Sequence, residues 1–182
     1  DAPLEGKTIL IYPEQGLGDV IQHARYIPML LARGAKVIFE VQKPLVALMQ
    51  HFGSAVRVIA KGDAPGKFDY QCPIMSLPLV FDTALETIPN QVPYLSVTEE
   101  KRAQWAERLG VKTRPRVGVV WSGSTTHTND HHRSIPLAAF DGLLSLPLEF
   151  HSLQKEIREG DVALLPKLMD HAFALQDFTD TA

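Results

Sequence analysis

The sequence holds a single cysteine, Cys72, in 182 residues. No internal disulfide can form, and the scarcity fits a reducing compartment, the cytoplasm. Basic runs are absent as well. The 18 Lys and Arg residues are scattered among 21 Asp and Glu, for a formal net charge of -3. A nucleic-acid surface needs clustered positive charge that tracks phosphates, so that partner is not expected. No apolar stretch approaches the roughly 20 residues that span a bilayer. A secretory signal is missing too, because no basic n-region precedes an apolar core. The chain opens Asp1-Ala2-Pro3-Leu4-Glu5-Gly6 without an initiator Met and closes Asp177-Phe178-Thr179-Asp180-Thr181-Ala182 without a helix stop. Both ends therefore read as cuts through a longer chain.

What is present has the composition of a globular protein, 45% hydrophobic and 21% charged. The organising stretch is Lys7 to Gln22, KTILIYPEQGLGDVIQ. Thr8 to Tyr12 is a short apolar run, expected as a strand buried on both faces. Pro13 ends it, Gly16-Leu17-Gly18 turns the chain, and a helix is expected from about Asp19 to Arg33, kinked at Pro28 and stopped by Gly34. Strands follow at 36–41 and 56–60, with a short helix opened by Pro44 between them. This β-α-β-α-β order is the signature of a parallel sheet. A fourth strand is expected at 68–74, then a proline-punctuated stretch, then a helix from Thr98 to Leu109 ended by Gly110.

The composition resets at Lys112-Thr113-Arg114-Pro115-Arg116. A new buried strand is expected at 117–121, a polar loop at 122–134, a helix at 136–146, a strand at 149–153, a helix at 160–169 and a short strand at 172–175. The expected organisation is thus two Rossmann-like domains, 1–112 complete and 113–182 incomplete.

Four stretches carry candidate chemistry. In Gln15-Gly16-Leu17-Gly18-Asp19 the glycines permit close backbone approach, and Asp19 is either a helix cap or a base at the mouth of the sheet. As a dinucleotide fingerprint the stretch fails, because Ile21 stands where the third glycine belongs. Glu40, at the end of the second strand, is near the place of a ribose-binding acid and keeps a nucleotide reading open. Ser122-Gly123-Ser124-Thr125-Thr126 follows a strand and is either a phosphate or sugar loop or an ordinary turn. His127, Asp130, His131 and His132 invite a metal reading, but their spacing matches no known helical site and no metal is expected. Arg133, fixed just before Ser134-Ile135-Pro136, suits bidentate phosphate binding. Lys155 either adds charge to the same crevice or is a solvated loop lysine. Cys72 has no histidine near it in sequence and reads as core.

Taken together, EQGLGDVIQHARYIPMLLARGAKVIFEVQKPLV, VGVVWSGSTTHTNDHHRSIPLAAF and FHSLQK resemble the catalytic region of bacterial glycosyltransferases that often follow tetratricopeptide repeats. They are similar to the heptosyltransferases of glycosyltransferase family nine. The resemblance implies a GT-B architecture, an acceptor-side domain and a donor-side domain facing each other over a cleft. It implies an inverting, metal-independent transfer from a nucleotide-sugar donor to a glycan, lipid or protein acceptor, with no cofactor. Asp19 takes the place of the general base, with Gln15, Gly16 and Gly18 in the acceptor-side loop. Arg133 takes the place of the basic residue on the donor phosphates, beside Ser122, Gly123, Ser124 and Thr125, with Lys155 near. The family continues with a further donor-binding segment, so the donor domain is expected to be half present and the fragment to lack part of its nucleotide grip. Two rivals remain: a non-catalytic sugar- or nucleotide-binding module, and a nucleotide-dependent oxidoreductase, which Ile21 disfavours.

Overall fold

A computed structural model describes residues 3–182; Asp1 and Ala2, part of the expected cut start, lie outside the described residues. Contacts divide the chain into two compact units. The first is the chain up to Thr98 with Asp177–Asp180 and Ala182; the second is Glu99–Gln176 with Thr181. The helix ending at Leu109 therefore groups with the second unit, whereas the composition shift lies a few residues later.

The first unit is built on a parallel four-stranded sheet. Its strands are β1 (Thr8–Tyr12), β2 (Lys36–Val41), β3 (Val56–Ala60) and β4 (Tyr70–Pro73), in spatial order β3-β2-β1-β4. β1 pairs with β2 as Ile9 to Val37 and with β4 as Ile9 to Tyr70. Strand residues alternate between faces. Ile9, Ile11, Val37, Phe39 and Val41 join Val20, Ile27, Leu30, Leu45 and Met49 from the helices in one core. Leu10, Ile38 and Ile59 form a smaller cluster on the other face.

The expected long helix after β1 is broken. α1 (Leu17–His23) starts two residues early, a 3-10 turn covers Ala24–Tyr26, and α2 (Ile27–Ala32) follows. Pro28 is the cause. It has no N–H for the Ala24 carbonyl, so the helix restarts with Pro28 in its first turn, where that donor is not needed. Gly34 ends α2 as expected, with φ of 77° and its N–H on the Leu31 carbonyl. Between β2 and β3, Pro44 opens a 3-10 turn that leads into α3 (Val46–Met49). α4 (Leu77–Val80) follows β4.

The second unit begins with α5 (Glu99–Leu109) and carries a parallel three-stranded sheet in order β5 (Arg116–Val119), β6 (Glu149–Ser152), β7 (Met169–Asp170). Arg116 on β5 donates from Nη2 to the Leu109 carbonyl that ends α5 and to the Gly110 carbonyl just after it, at 2.8 and 2.9 Å. α6 (Asp141–Leu144) follows a 3-10 turn at Leu137–Phe140. The expected helix at 160–169 is a 3-10 segment, Glu159–Lys167, containing Pro166. The expected strand at 172–175 is a turn, with Ala174 and Leu175 N–H both on the His171 carbonyl; β7 forms three residues earlier instead. α7 (Phe178–Thr181), most of which returns to the first unit, is capped by the Asp177 carboxylate, which accepts the Thr179 N–H at 2.7 Å. Both sheets are thus parallel and of α/β, Rossmann-like type. Among the described residues no helix is long and apolar enough to cross a membrane.

Candidate functional site

In the first unit the turn after β1 delivers Asp19 to the third position of α1. Its Oδ2 accepts the N–H of the N-cap residue Gly16 at 2.9 Å. This is the acid half of a capping box; the other half needs a side chain that Gly16 lacks. Asp19 thus makes a cap bond with one carboxylate oxygen, while Oδ1 has no hydrogen-bond partner among the described residues. Neither Gly16 nor Gly18 has a positive φ, so the left-handed region is not what the turn needs from them. A Cβ at Gly18 meets nothing within 4 Å, so the surface there is open. Gln15 is held through its carbonyl, which accepts Gln42 Nε2 at 2.8 Å.

In the second unit the chain beyond β5 is fixed by buried polar side chains. Gln154 Oε1 accepts the N–H groups of Trp121 and Ser122 at 3.2 and 3.1 Å, and Gln154 Nε2 donates to the Ser122 carbonyl at 2.9 Å. Asp161, 4% exposed, accepts Trp121 Nε1–H at 2.7 Å and the Leu137 N–H at 2.8 Å. One carboxylate thereby joins the strand end, the 137–140 turn and the 159–167 segment. Ser134 Oγ accepts the Gly123 N–H at 2.9 Å and donates to Asp130 Oδ1 at 2.6 Å. Arg158 Nη2 closes the ring on Asp130 Oδ2 at 2.6 Å and the Gly123 carbonyl at 3.3 Å. The Ser134 hydroxyl first, then Arg158, holds the Asp130 carboxyl below the usual carboxylate range.

This frame leaves a pocket of about 290 Å³ lined by Val120, Trp121, Ser122, Gly123, Arg133 and Ile135. The Arg133 backbone N–H donates to the Asp130 carbonyl at 3.0 Å, and its charge adds to Ser134 and Arg158 in holding the Asp130 carboxyl down, but its guanidinium makes no hydrogen bond or ion pair among the described residues. The buried Ser122 hydroxyl has no partner either. Three of the expected donor-side residues, Ser122, Gly123 and Arg133, therefore meet in one pocket. The backbone does not serve as expected: the Ser122 and Gly123 N–H groups are spent on Gln154 and Ser134. Ser124 and Thr125 are exposed beside it, with Ser124 Oγ 2.8 Å from Thr126 Oγ1. Lys155 does not line the pocket; its Nζ reaches the Gln176 carbonyl at 3.3 Å.

The histidine-rich loop is explained by turn bonds. Asp130 serves Ser134 and Arg158, and His127 Nδ1 accepts the Asn129 N–H at 3.1 Å. Among the described residues no group of three or more His, Cys, Asp or Glu side chains is placed to hold a metal. Cys72 is half-buried, and burial pushes its thiol up. The residues that reasoning from sequence passed over are Gln154, Arg158 and Asp161, and Asp130, weighed there only as a metal ligand, instead holds Ser134 and Arg158. A polar residue one place before Lys155, at a strand end, was the available signal for Gln154. Nothing local marks Asp161, whose partners are 24 and 40 residues away.

No protein-family model matches the chain, and no solved structure matches it. It is similar to the protein FlbA of Caulobacter vibrioides, 27% identical over 183 residues, which covers 88% of this chain. The chain spans about 30% of the length of that relative.

Proposed function

We propose that the chain is part of a glycosyltransferase of GT-B type, with the acceptor on the first unit and a nucleotide-sugar donor on the second. One observation supports this most: the free Arg133 guanidinium beside the orphaned Ser122 hydroxyl, at the carboxyl end of a parallel strand. Open α/β sheets bind ligands at that end, and a planar guanidinium suits a diphosphate. Asp19 stands at the equivalent end of β1 with one carboxylate oxygen free.

In this reading Asp19 takes the proton from an acceptor hydroxyl. The oxygen attacks the anomeric carbon, the bond to the diphosphate breaks with inversion, and Arg133 stabilises the departing nucleoside diphosphate. A donor screen on the intact protein, reading released nucleoside diphosphate, tests it. Arg133→Ala is expected to weaken nucleoside diphosphate binding at least tenfold, the loss of one charge-assisted contact. Asp19→Asn is expected to abolish turnover while leaving that binding unchanged. Turnover that survives Asp19→Asn removes the base from the mechanism.

The internal use of the Ser122 and Gly123 amides favours a second reading, a binding module without chemistry. Nucleoside diphosphate binding by calorimetry, with no donor hydrolysed or transferred, identifies it.

A further inference from the structure

The first unit has a hollow, lined mostly by apolar groups with a few polar ones, that the reading above does not use. It encloses about 380 Å³, between the end of α1 with the 24–26 turn on one side and the 83–88 segment on the other. His23 lines it, and so do Gln22, Tyr26, Thr83, Leu85 and Ile88. The imidazole is held in a defined state. Its Nδ1 lies 2.8 Å from the Asp19 carbonyl oxygen, which only accepts, so the proton of the neutral ring is on Nδ1 and Nε2 carries a lone pair. Ring stacking fixes the plane: His23 lies on Tyr26 with centroids 6.3 Å apart and 22° between planes, and Tyr26 lies on Phe81 at 6.0 Å. Nε2 has no partner among the described residues.

The hollow is not an anion site. Arg25, its cation, donates from Nε to the Gln22 carbonyl at 2.9 Å and from Nη1 to the Pro89 carbonyl at 3.2 Å, and lies over the Tyr94 ring at 4.6 Å. What the neutral tautomer offers is an acceptor nitrogen opposite an apolar rim, where Leu85 is 81% exposed. A ligand that fits must donate a hydrogen bond and present an apolar face.

We propose that this hollow binds the acceptor as a neutral, hydroxyl-bearing ligand with an apolar body, the hydroxyl donating to His23 Nε2 and the apolar face lying on Leu85 and Ile88. The proposal rests on the transferase reading for the word acceptor, but the binding itself can be measured without turnover. Because His23 hangs from the Asp19 carbonyl, a ligand on its ring is tied to the residue that carries the free carboxylate.

The test is NMR on the chain itself. Imidazole ¹⁵N shifts report the His23 tautomer, and phenyl β-D-glucopyranoside and phenyl phosphate serve as neutral and anionic probes. The glucoside is expected to move His23 Nε2 and the amides of Thr83, Ala84 and Leu85, and phenyl phosphate is not. His23→Phe, which keeps the ring and deletes the nitrogens, is expected to weaken glucoside binding about fivefold, the effect of one neutral hydrogen bond, with distant amides unchanged. Equal binding by His23→Phe, preference for the phosphate, or no shift in this hollow overturns the proposal. The two readings fail separately. Glucoside binding here, with no donor used by the intact protein, sinks the transferase and leaves the hollow standing. Transfer by His23→Phe with an unchanged acceptor KM sinks the hollow.

Discussion

The two units hold their shape by different means. In the first, the buried side chains are apolar throughout, from Ile9 on β1 to Leu77 on α4. In the second, a smaller apolar cluster around Trp121, Leu137 and Phe150 is accompanied by buried Ser122, His151, Ser152, Gln154, Asp161 and His171. Every buried polar side chain among the described residues belongs to the second unit. An apolar core is insensitive to pH and tolerates conservative change. A buried polar frame is specific in geometry, and it is costly to break because an orphaned partner stays buried. The unit with the polar frame is also the one whose strand end holds the uncommitted arginine. The difference suggests that position, more than stability, is what the frame supplies.

Breaking the frame should give the largest effect. Asp161→Ala strands two buried donors, Trp121 Nε1–H and the Leu137 N–H, and is expected to cost the second unit about 3–5 kcal/mol. Denaturant unfolding followed by amide exchange resolves which unit is lost. A loss shared equally by β1 and β2 amides would end the distinction between the units. In the first unit Phe39→Leu trims a fully buried ring and is expected to cost about 1–2 kcal/mol, with no change in its pH dependence.

Acid should separate the units further. Arg108 Nε donates to His171 Nδ1 at 3.3 Å, so His171 donates from Nε2 to His151 Nδ1 at 2.9 Å. His151 then carries its own proton on Nε2, 3.9 Å from Glu149 Oε2. Both nitrogens that could take a further proton already accept hydrogen bonds, so protonation must break either the Arg108–His171 link from α5 or the His171–His151 link to β6. Burial, then Arg116, pushes His151 down despite Glu149; burial, then His151 and Arg108, pushes His171 down despite Asp170. The unfolded chain therefore binds these protons first. Stability of the second unit is full above the ordinary histidine value of 6.5 and falls as pH drops from there through the lowered folded values. A second loss follows between pH 4.5 and about 2, where Glu149 is held down by Arg116, then Thr113. Trp105, edge-on to His171 at 5.5 Å, is the fluorescent reporter. His171→Phe is expected to shrink the upper transition to the part carried by His151, and His171→Phe with His151→Phe to remove it; a transition undiminished in the double variant would assign the pH response elsewhere.

The smallest effect concerns Asp19. Asp19→Ala removes one cap bond from a half-buried surface turn and is expected to cost about 0.5–1 kcal/mol in chemical denaturation. A much larger cost would make Asp19 structural first, and would weaken any catalytic reading of a dead variant.

Much of the first unit could be read from its residues. Apolar-rich runs at 8–12, 36–41 and 56–60, separated by helical spacing and stopped by Gly34, are local signals, and the parallel sheet follows from their order. The single helix after β1 was misread because the pattern of Val20, Ala24, Ile27 and Leu31 continues across the break. Periodicity reports which face is buried, and Pro28 reports which bond is missing. The second unit was less legible. Its short strands, 3-10 segments and the turn at 172–175 depend on bonds to distant partners, as Ile135 N–H to the Trp121 carbonyl illustrates.

The same division holds for the candidate site. By itself the sequence determined that Gly16 and Asp19 follow one buried strand and that a hydroxyl loop and Arg133 follow another, because strand, turn and cap signals are local. Only the tertiary structure decided what each group has left to offer. Hydrogen bonds across 32 and 11 residues consume the Ser122 and Gly123 amides, one across 21 directs Lys155 to the Gln176 carbonyl, and the Arg133 guanidinium and one oxygen of Asp19 are left free.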